Sequence, residues 1–238
     1  MPFPRPQKIR AKLADKQVHN EKFTSFQFEL VEPNVMTFFA GQYVSIKVDD
    51  AGDRRSYSMT TRPDVTHSFG LFVDTITNGL GVTKLKNLQF GEEIELMGPL
   101  GLFTLGEEAV TRPVVFVATG AGIAPFLSMI EDQLQTRHTT QELTLYWGNR
   151  HETELCLEDQ LQEMMSGFPN FHFHPVISQA VPEWPLCRGR VTDCLTVHDL
   201  PENGQYMLCG NQTMITNVNE LLQKREVKAE DIHWEKFY

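Results

Sequence analysis

The stretch P-V-V-F-V-A-T-G-A-G-I-A-P at residues 113–125 decides the fold class of the second half of this chain. Residues 113–119 form a continuous apolar run, which is typical of a strand buried in a parallel sheet. A glycine-rich turn follows, and Pro125 suits the first turn of the helix that comes next. A buried strand, a tight turn and a helix in this order indicate an α/β architecture.

The rest of the second half continues to alternate between strands and helices. After the first helix, which reaches about residue 135, the pattern predicts strands at 143–147, 171–177, 206–209 and 232–237, and helices at 154–165, 191–197 and 213–224. Strands that alternate with helices predict a doubly wound parallel sheet.

The first half follows the two-residue period of half-buried strands. At 22–30 this period puts Phe26, Phe28 and Leu30 on one face. The pattern predicts further strands at 42–48, 70–76 and 92–97 and one short helix at 82–88. Many short strands with regular turns predict a barrel or a sandwich. Both patterns break near 105–112, so we expect domains at 1–106 and 107–238.

The charge of the chain is unevenly distributed. Its 238 residues carry 21 Lys and Arg against 31 Asp and Glu, and residues 1–105 are balanced, so the excess of negative charge lies in the second half. This acidity argues against nucleic-acid binding. The N-terminus is locally basic, which we interpret as a solvated strand face, although it could also steer an acidic partner. These basic residues are Arg5, Lys8, Arg10, Lys12 and Lys16.

The sequence contains neither a run of 18 apolar residues nor the apolar core of a secretory signal. We therefore expect no membrane span and a cytoplasmic location.

The cysteines and histidines do not predict a metal site. The four cysteines, at positions 156, 187, 194 and 209, lack the spacing of a zinc or iron–sulfur site. We expect free thiols rather than a disulfide framework, with Cys156, Cys187 and Cys194 as ordinary small residues. His172 and His174 alternate along a predicted strand and are interpreted as strand residues.

Three loops follow strands of the predicted parallel sheet, at the edge where ligands bind in such folds. They are residues 118–125, 147–150 and 208–214. Gly120 and Gly122 allow the backbone to approach a phosphate, and the helix that follows offers N–H donors. A tight strand–helix turn explains any one of these loops, but three on one sheet favour a ligand site.

A second candidate site is the cluster R-R-S-Y-S-M-T at 54–60. In a strand, Arg55 and Tyr57 share one face, and Ser56 and Ser58 share the other. Arginine can grip a phosphate, a tyrosine ring can stack on a flat cofactor, and a serine hydroxyl can bond a ring nitrogen. Taken alone, the cluster is better explained as an exposed strand of mixed polarity than as a cofactor site.

The order of motifs along the chain changes that balance. The motifs are F-A-G-Q-Y (39–43), R-S-Y-S (55–58), G-L-G with L-K-N-L (79–88), G-P-L-G (98–101), T-G-A-G-I-A-P-F (119–126), Y-W-G-N-R (146–150), C-G-N-Q-T-M (209–214) and W-E-K-F (234–237). This ordered set covers nearly the whole chain. It closely resembles the ferredoxin–NADP(H) reductase superfamily, most of all its bacterial flavin reductases and oxygenase reductase components.

The resemblance implies an antiparallel, flavin-binding Greek-key barrel over 1–106. It implies that Arg55 holds the pyrophosphate of FAD, that Tyr57 stacks on the isoalloxazine and that Ser58 lies near flavin N5. Relatives often have Ser or Thr where this chain has Val82, so only backbone contacts are expected there. The other residues implied for the flavin are Ser56, Gly81, Thr83, Phe237 and Tyr238.

The resemblance also implies a doubly wound NAD(P)-binding domain over 107–238. Cys209 and Gly210 would lie beside the nicotinamide, and Glu235 near the flavin edge. The candidate catalytic residues are Ser58, Cys209 and Glu235, which are expected to act as orienting groups rather than as nucleophiles. The other implied nucleotide-binding residues are Thr119, Gly120, Gly122, Pro125, Arg150 and Met214.

The choice between NAD and NADP stays open. Relatives that prefer NADP often have Arg after the Ser of the third strand, where this chain has Ser178–Gln179. Arg150 could still reach a 2′-phosphate.

The implied function is transfer of hydride from NAD(P)H to FAD and then of single electrons to an acceptor. The chain has no cysteine-rich ferredoxin module, so we expect a separate ferredoxin, flavodoxin or oxygenase component, and a monomeric reductase. One alternative is a flavin reductase that releases reduced flavin. Another is a non-catalytic electron-transfer subunit of a larger complex.

Overall fold

The structure is a computed structural model that describes residues 3–106 and 108–237. The chain forms two compact units. The first contains the residues up to Glu108 together with Ala124–Arg137, and the second contains Ala109–Ile123 and the residues from His138 onward. Residues 124–137 thus group with the first unit although they follow the predicted domain boundary in sequence.

The first unit is built on an antiparallel sheet that closes into a barrel. Its strands are β1 (Gln7–Val18), β2 (Phe23–Glu32), β3 (Tyr43–Lys47), β4 (Arg54–Ser58), β5 (Ser68–Asp74) and β6 (Glu93–Leu100), and its short helix is α1 (Leu80–Asn87). The order in the sheet is β4-β3-β6-β1-β2-β5. A bridge between Met59 and Leu71, with the Thr60 N–H donating to the Gly70 carbonyl at 2.9 Å, joins the two edges. The predicted barrel is therefore confirmed.

Alternation of side chains fills the barrel. Phe26 and Phe28 are 1% and 0% exposed, and burial of each stabilises the fold by roughly 1.5–3 kcal/mol. On the outer face of β1, Arg10 pairs with Glu32 and Glu93 at 2.8 and 2.9 Å, as expected of a solvated strand face. The alternation thus assigns one face of each strand to the core and the other to water.

Helix α2 (Ala124–Glu131) is apolar on nearly every side and packs within the first unit. Its Phe126 ring lies 5.9 Å from the ring of Phe103, and the Ser128 hydroxyl donates to the Thr61 carbonyl at 2.5 Å. The helix continues as one π-helical turn that ends where the Arg137 N–H donates to the Asp132 carbonyl at 2.8 Å.

The second unit is a parallel sheet with helices, which confirms the predicted doubly wound fold. Its strands are β7 (Val114–Thr119), β8 (Leu143–Asn149), β9 (Phe171–Ile177), β10 (Cys187–Arg188), β11 (Gln205–Gly210) and β12 (Ile232–Lys236). Its longer helices are α3 (Glu158–Gly167), α4 (Val191–Val197) and α5 (Gln212–Lys224). The strand order is β10-β9-β8-β7-β11-β12. The carboxyl ends of β7, β8 and β11 therefore lie side by side at one edge.

The prediction of free thiols was wrong for two of the four cysteines. Cys187 and Cys194 form a disulfide, with a Cα–Cα separation of 5.7 Å. The two residues meet because β10 extends the sheet beside α4, and this two-residue strand leaves no periodic signal in the sequence. Cys156 and Cys209 are free.

Within residues 3–106 and 108–237, no helix is both long enough and apolar enough to cross a membrane.

Candidate functional site

The R-S-Y-S cluster lies on β4, which pairs with β3 in the barrel sheet. Arg55 is exposed, Tyr57 is half-buried and Ser58 is 4% exposed. Arg54, on the other face, donates to the Ser45 carbonyl at 2.7 Å. Arg55 instead donates to the backbone carbonyl of Arg54 at 2.8 Å, and its exposed guanidinium is available to a bound anion.

The first turn of α1 lies directly against this cluster. A Cβ on Gly81 would come less than 3.0 Å from the Tyr57 hydroxyl oxygen and from Cγ of Arg55. Gly79, which precedes the helix, has no side chain to cap the first-turn amides. Arg55, Tyr57 and the amide end of α1 therefore form one contiguous group, and only glycine fits at position 81.

The remaining residues implied for the flavin differ in whether they face the barrel core or solvent. Val82 is 9% exposed and belongs to the barrel core, so its side chain faces away from solvent. Thr83 is exposed, and its N–H donates to the Gly79 carbonyl at 2.9 Å. Ser56 is exposed on β4.

This group of residues fits a dinucleotide with an aromatic ring system. A guanidinium and helix amides suit a pyrophosphate, and the ring of Tyr57 suits a planar partner. Burial raises the pKa of Tyr57 to about 12, although Arg55 opposes the shift, so the phenol is neutral near pH 7 and can donate a hydrogen bond.

Replacement of Gly81 by alanine is expected to weaken flavin binding about tenfold or more, since the added Cβ displaces Tyr57 and Arg55 together. Gly79→Ala is the matched control, because a Cβ there meets no atom within 4 Å. The measurement is the flavin dissociation constant of each purified variant. Equal affinities for the two variants would argue against a flavin site at this cluster.

The second group of candidates lies at the carboxyl edge of the parallel sheet. A Cβ on Gly122 would come less than 3.0 Å from the carbonyl oxygen and carbon of Cys209. The Trp147 indole N–H donates to the Gly120 carbonyl at 2.9 Å. The loops after β7 and β11 therefore touch through backbone, and the β8 strand end holds the glycine turn in place. Pro125 lies in the first turn of α2.

The loop after β11 is tied to the end of β7. The Asn211 backbone and side-chain N–H groups each donate to the Thr119 hydroxyl at 3.4 Å. Asn211 also caps α5, accepting from the Met214 N–H at 2.9 Å. A Cβ on Gly210 would come less than 3.0 Å from both Thr119 Oγ1 and Met214 Cε, so these residues form one tight cluster.

Cys209 and Glu235 are directly opposite each other on β11 and β12. Cys209 is fully buried, and burial raises the pKa of its thiol well above the ordinary value, with a further contribution from Glu235. The thiol is therefore protonated at neutral pH and is a poor nucleophile.

The loops after β8 and β9 form a third part of this edge. The Gln179 N–H donates to the Arg150 carbonyl at 2.9 Å, and the Arg150 N–H donates to Glu154 at 3.1 Å. Glu152 accepts from the Val181 N–H at 2.7 Å. Arg150 is exposed, so its side chain can reach a ligand beside Gln179.

The end of the chain returns to the same edge. The Phe237 N–H donates to the Gly210 carbonyl at 2.9 Å, and its side chain is half-buried. Tyr238 lies outside the described residues.

The sequence interpretation missed Asn149 and Asn211 as individual site residues. Asn149 is 7% exposed, and neither side-chain oxygen nor nitrogen has a hydrogen-bond partner within residues 3–106 and 108–237. Both asparagines stand inside glycine motifs at strand ends. Asn211 also has the N-cap signature of an asparagine directly before a helix, which could have identified it.

Comparison with known proteins matches two segments of the chain to two domain families. Residues 10–105 match the oxidoreductase FAD-binding domain family, and residues 116–220 match the oxidoreductase NAD-binding domain family. This defines a class, the flavin- and nicotinamide-nucleotide-binding oxidoreductases.

The relatives and solved structures narrow that class. The anthranilate 1,2-dioxygenase electron transfer component of Acinetobacter baylyi is 32% identical, over 85% of this chain and 59% of the relative. The reductase component of phenol 2-monooxygenase from a Pseudomonas species is also 32% identical, over 85% and 58%. The Amycolatopsis cytochrome P450 reductase GcoB has a TM-score of 0.89 at 28% identity, over 98% of this chain and 71% of that one.

A ferredoxin NADP⁺ reductase from Neisseria gonorrhoeae, with bound FAD and NADP, shares the fold at a TM-score of 0.83 and 23% identity, over 97% of this chain and 99% of that one. The chain belongs to the oxidoreductases with an FAD-binding and a NAD-binding domain, and it has the fold of a ferredoxin NADP⁺ reductase. The chain spans somewhat less than two thirds of the length of these two relatives, the electron transfer component and the reductase component.

Proposed function

We propose that this protein oxidises NADH or NADPH through bound FAD and delivers single electrons to a separate acceptor protein. The candidate acceptors are a ferredoxin, a flavodoxin or an oxygenase component. Support comes from relatives that are electron-transfer or reductase components of oxygenases. The observation that carries the proposal is a close approach through glycine in each unit, at Gly81 and at Gly122.

When bound, FAD supplies the conversion between two-electron hydride transfer and one-electron transfer. The proposed work of the barrel residues is to bind and orient it. Arg55 holds the pyrophosphate with charge-assisted hydrogen bonds, and the first-turn amides of α1, at Gly81 and Val82, contribute further N–H donors, whereas the Thr83 N–H is already bonded to the Gly79 carbonyl. Tyr57 supports the ring system with its neutral phenol.

The α/β residues are proposed to bind the nicotinamide nucleotide. Gly120, Gly122 and Pro125 line the pyrophosphate, and the cluster around Thr119 and Met214 shapes the adjoining pocket. Because Gly122 and Gly210 have no side chains, main-chain groups of this cluster can approach a ligand closely. Arg150 is the proposed contact for a 2′-phosphate, because its exposed side chain follows β8 beside Gln179.

Three residues are proposed to position the reacting groups. Ser58 orients the flavin near N5 with its hydroxyl. Cys209 and Glu235, which face each other across β11 and β12, orient the nicotinamide and the flavin edge. Phe237, or Tyr238 after it, is proposed to cover the flavin face that the nicotinamide must reach.

The proposal is tested by reduction of ferricyanide, a one-electron acceptor, by NADH or NADPH and the desalted protein with no flavin added. We expect turnover under these conditions, and the faster donor identifies the preferred nucleotide. Turnover that depends on added free flavin would favour a flavin reductase instead. No turnover with or without flavin would favour a non-catalytic subunit, and either result contradicts the proposal.

Replacement of Cys209 by alanine is expected to slow reduction of the bound flavin by roughly tenfold, because the nicotinamide loses a positioning contact. Flavin content should not change. Stopped-flow absorbance measures the rate, and Cys156→Ala, a half-buried cysteine in the same unit, is the control. An unchanged rate in Cys209→Ala would mean that Cys209 fills space without positioning the nicotinamide.

The rate of flavin reduction by the wild type should show no thiol ionisation near pH 7, since burial raises the pKa of Cys209.

A further inference from the structure

Three metal-ligating side chains meet where β10 and α4 adjoin. The sulfur atoms of Cys187 and Cys194 and a ring nitrogen of His198 all lie within 4.8 Å of one another. Cys194 Sγ is 3.6 Å from His198 Nδ1. The group takes no part in the proposed flavin or nucleotide contacts.

The backbone holds these donors independently of the disulfide. Cys194 lies in α4, and His198, four residues further on, directly follows the last residue of that helix. Cys187 comes from β10, which pairs in parallel with Val176 and Ile177 of β9. The Trp184 indole N–H donates to the Cys187 carbonyl at 3.2 Å and fixes this end of the strand.

We propose that the reduced form of this cluster binds Zn²⁺ through the two thiolates and His198 Nδ1, with water in the fourth position. Tetrahedral zinc with sulfur and nitrogen ligands places its ligand atoms about 3.5–3.8 Å apart. The Cys194–His198 distance of 3.6 Å already meets this requirement. The Cα separation of 5.7 Å between the cysteines allows their side chains to reach the same spacing after reduction.

The charges of the cluster also suit a divalent cation. Two thiolates and a neutral imidazole balance Zn²⁺ completely, which favours binding at a site where Cys194 is 2% exposed. In the disulfide form, His198 Nδ1 lies 2.9 Å from the Cys194 carbonyl and donates to it. For Nδ1 to bind the metal, the imidazole proton must be carried by Nε2 instead.

The oxidation state of the cysteines decides whether the site exists. A dithiol reductant donates two electrons and two protons to the Cys187–Cys194 bond, which breaks into two thiols while the reductant forms its own disulfide. Zn²⁺ then displaces one proton from each thiol into solvent. Zinc and the disulfide therefore exclude each other.

A cavity of about 640 Å³ adjoins the cluster at one of its three ligands. His198 is part of its wall, and so are the carboxylates of Asp199, Glu202 and Glu226. Three carboxylates against the guanidinium of Arg225 attract cations toward His198.

The test is a titration of the full-length protein with Co²⁺, an optical substitute for zinc, in reduced and in disulfide form, followed by competition with Zn²⁺. Reduced protein should bind one metal per chain with a thiolate-to-cobalt absorption band, and the disulfide form should bind none. Cys187→Ser and Cys194→Ser should weaken binding at least about 100-fold, and His198→Ala at least about tenfold. Cys156→Ser is the control and should bind like the wild type.

The comparison of the two oxidation states keeps the test independent of any variant that folds poorly. Equal cobalt binding by the reduced and disulfide forms would overturn the proposal. So would binding by Cys187→Ser as tight as that of the wild type. Flavin content, measured on the same samples, reports separately on the proposed function.

Discussion

Replacement of Gly122 by alanine is expected to lower kcat/KM for NADH and NADPH about 100-fold, with flavin retention unchanged. The new Cβ would come less than 3.0 Å from backbone atoms of Cys209, which cannot rotate away as a side chain can. The loops after β7 and β11 must then separate, and both carry proposed nucleotide contacts. Overpacking of this kind costs roughly 1–3 kcal/mol, and 100-fold lies near the upper end of that range.

Gly167→Ala is the matched control, because it lies in the same unit and its added Cβ meets no atom within 4 Å. Thermal unfolding of both variants separates a loss of nucleotide binding from a loss of fold. If Gly122→Ala retains the kcat/KM of the control, the turn after β7 does not bind the nucleotide.

Replacement of Arg55 by alanine is expected to weaken flavin binding by about 10- to 150-fold. It removes a charge-assisted contact with the pyrophosphate worth roughly 1.5–3 kcal/mol. Flavin content after dialysis and the dissociation constant of added FAD are the two measurements. The turnover lost by the variant should return when FAD is supplied in excess.

The neighbouring arginine provides the control. Arg54 donates to the Ser45 carbonyl at 2.7 Å and to its hydroxyl at 3.3 Å, so its guanidinium is already engaged within the barrel. Arg54→Ala should therefore retain flavin better than Arg55→Ala. Equal flavin content in both variants after dialysis would refute the assignment of Arg55.

Much of the fold could be predicted from periodicity, because burial imposes a regular pattern on long elements. The strand at 171–177 and the helix at 191–197 were predicted with the bounds that the structure has. The predicted start of α1 was late by two residues, since glycine at position 81 weakens the helical signal while its packing requires it. Strand β10 was missed, because two residues cannot show a period.

The disulfide was not predicted for the same reason. Its partners are seven residues apart in sequence, but they meet only because β10 joins the sheet beside α4. Cysteine spacing alone does not contain that information.

The candidate site was predicted as motifs rather than as contacts. The sequence indicates glycine-rich turns, but it does not distinguish Gly79, where a Cβ fits, from Gly81 and Gly122, where it does not. That difference depends on which chain segments approach each other in space. The side-chain amide of Asn149 is buried and has no hydrogen-bond partner among the described residues. This too depends on packing, so the sequence does not reveal it.

Visible absorption spectroscopy shows whether the protein holds a flavin and whether a nicotinamide nucleotide reduces it. The desalted protein is recorded first, and NADPH or NADH is then added in separate anaerobic samples. We expect a flavin spectrum that survives desalting and bleaches with at least one nucleotide. A colourless protein that oxidises neither nucleotide, even with FAD restored, would contradict this expectation.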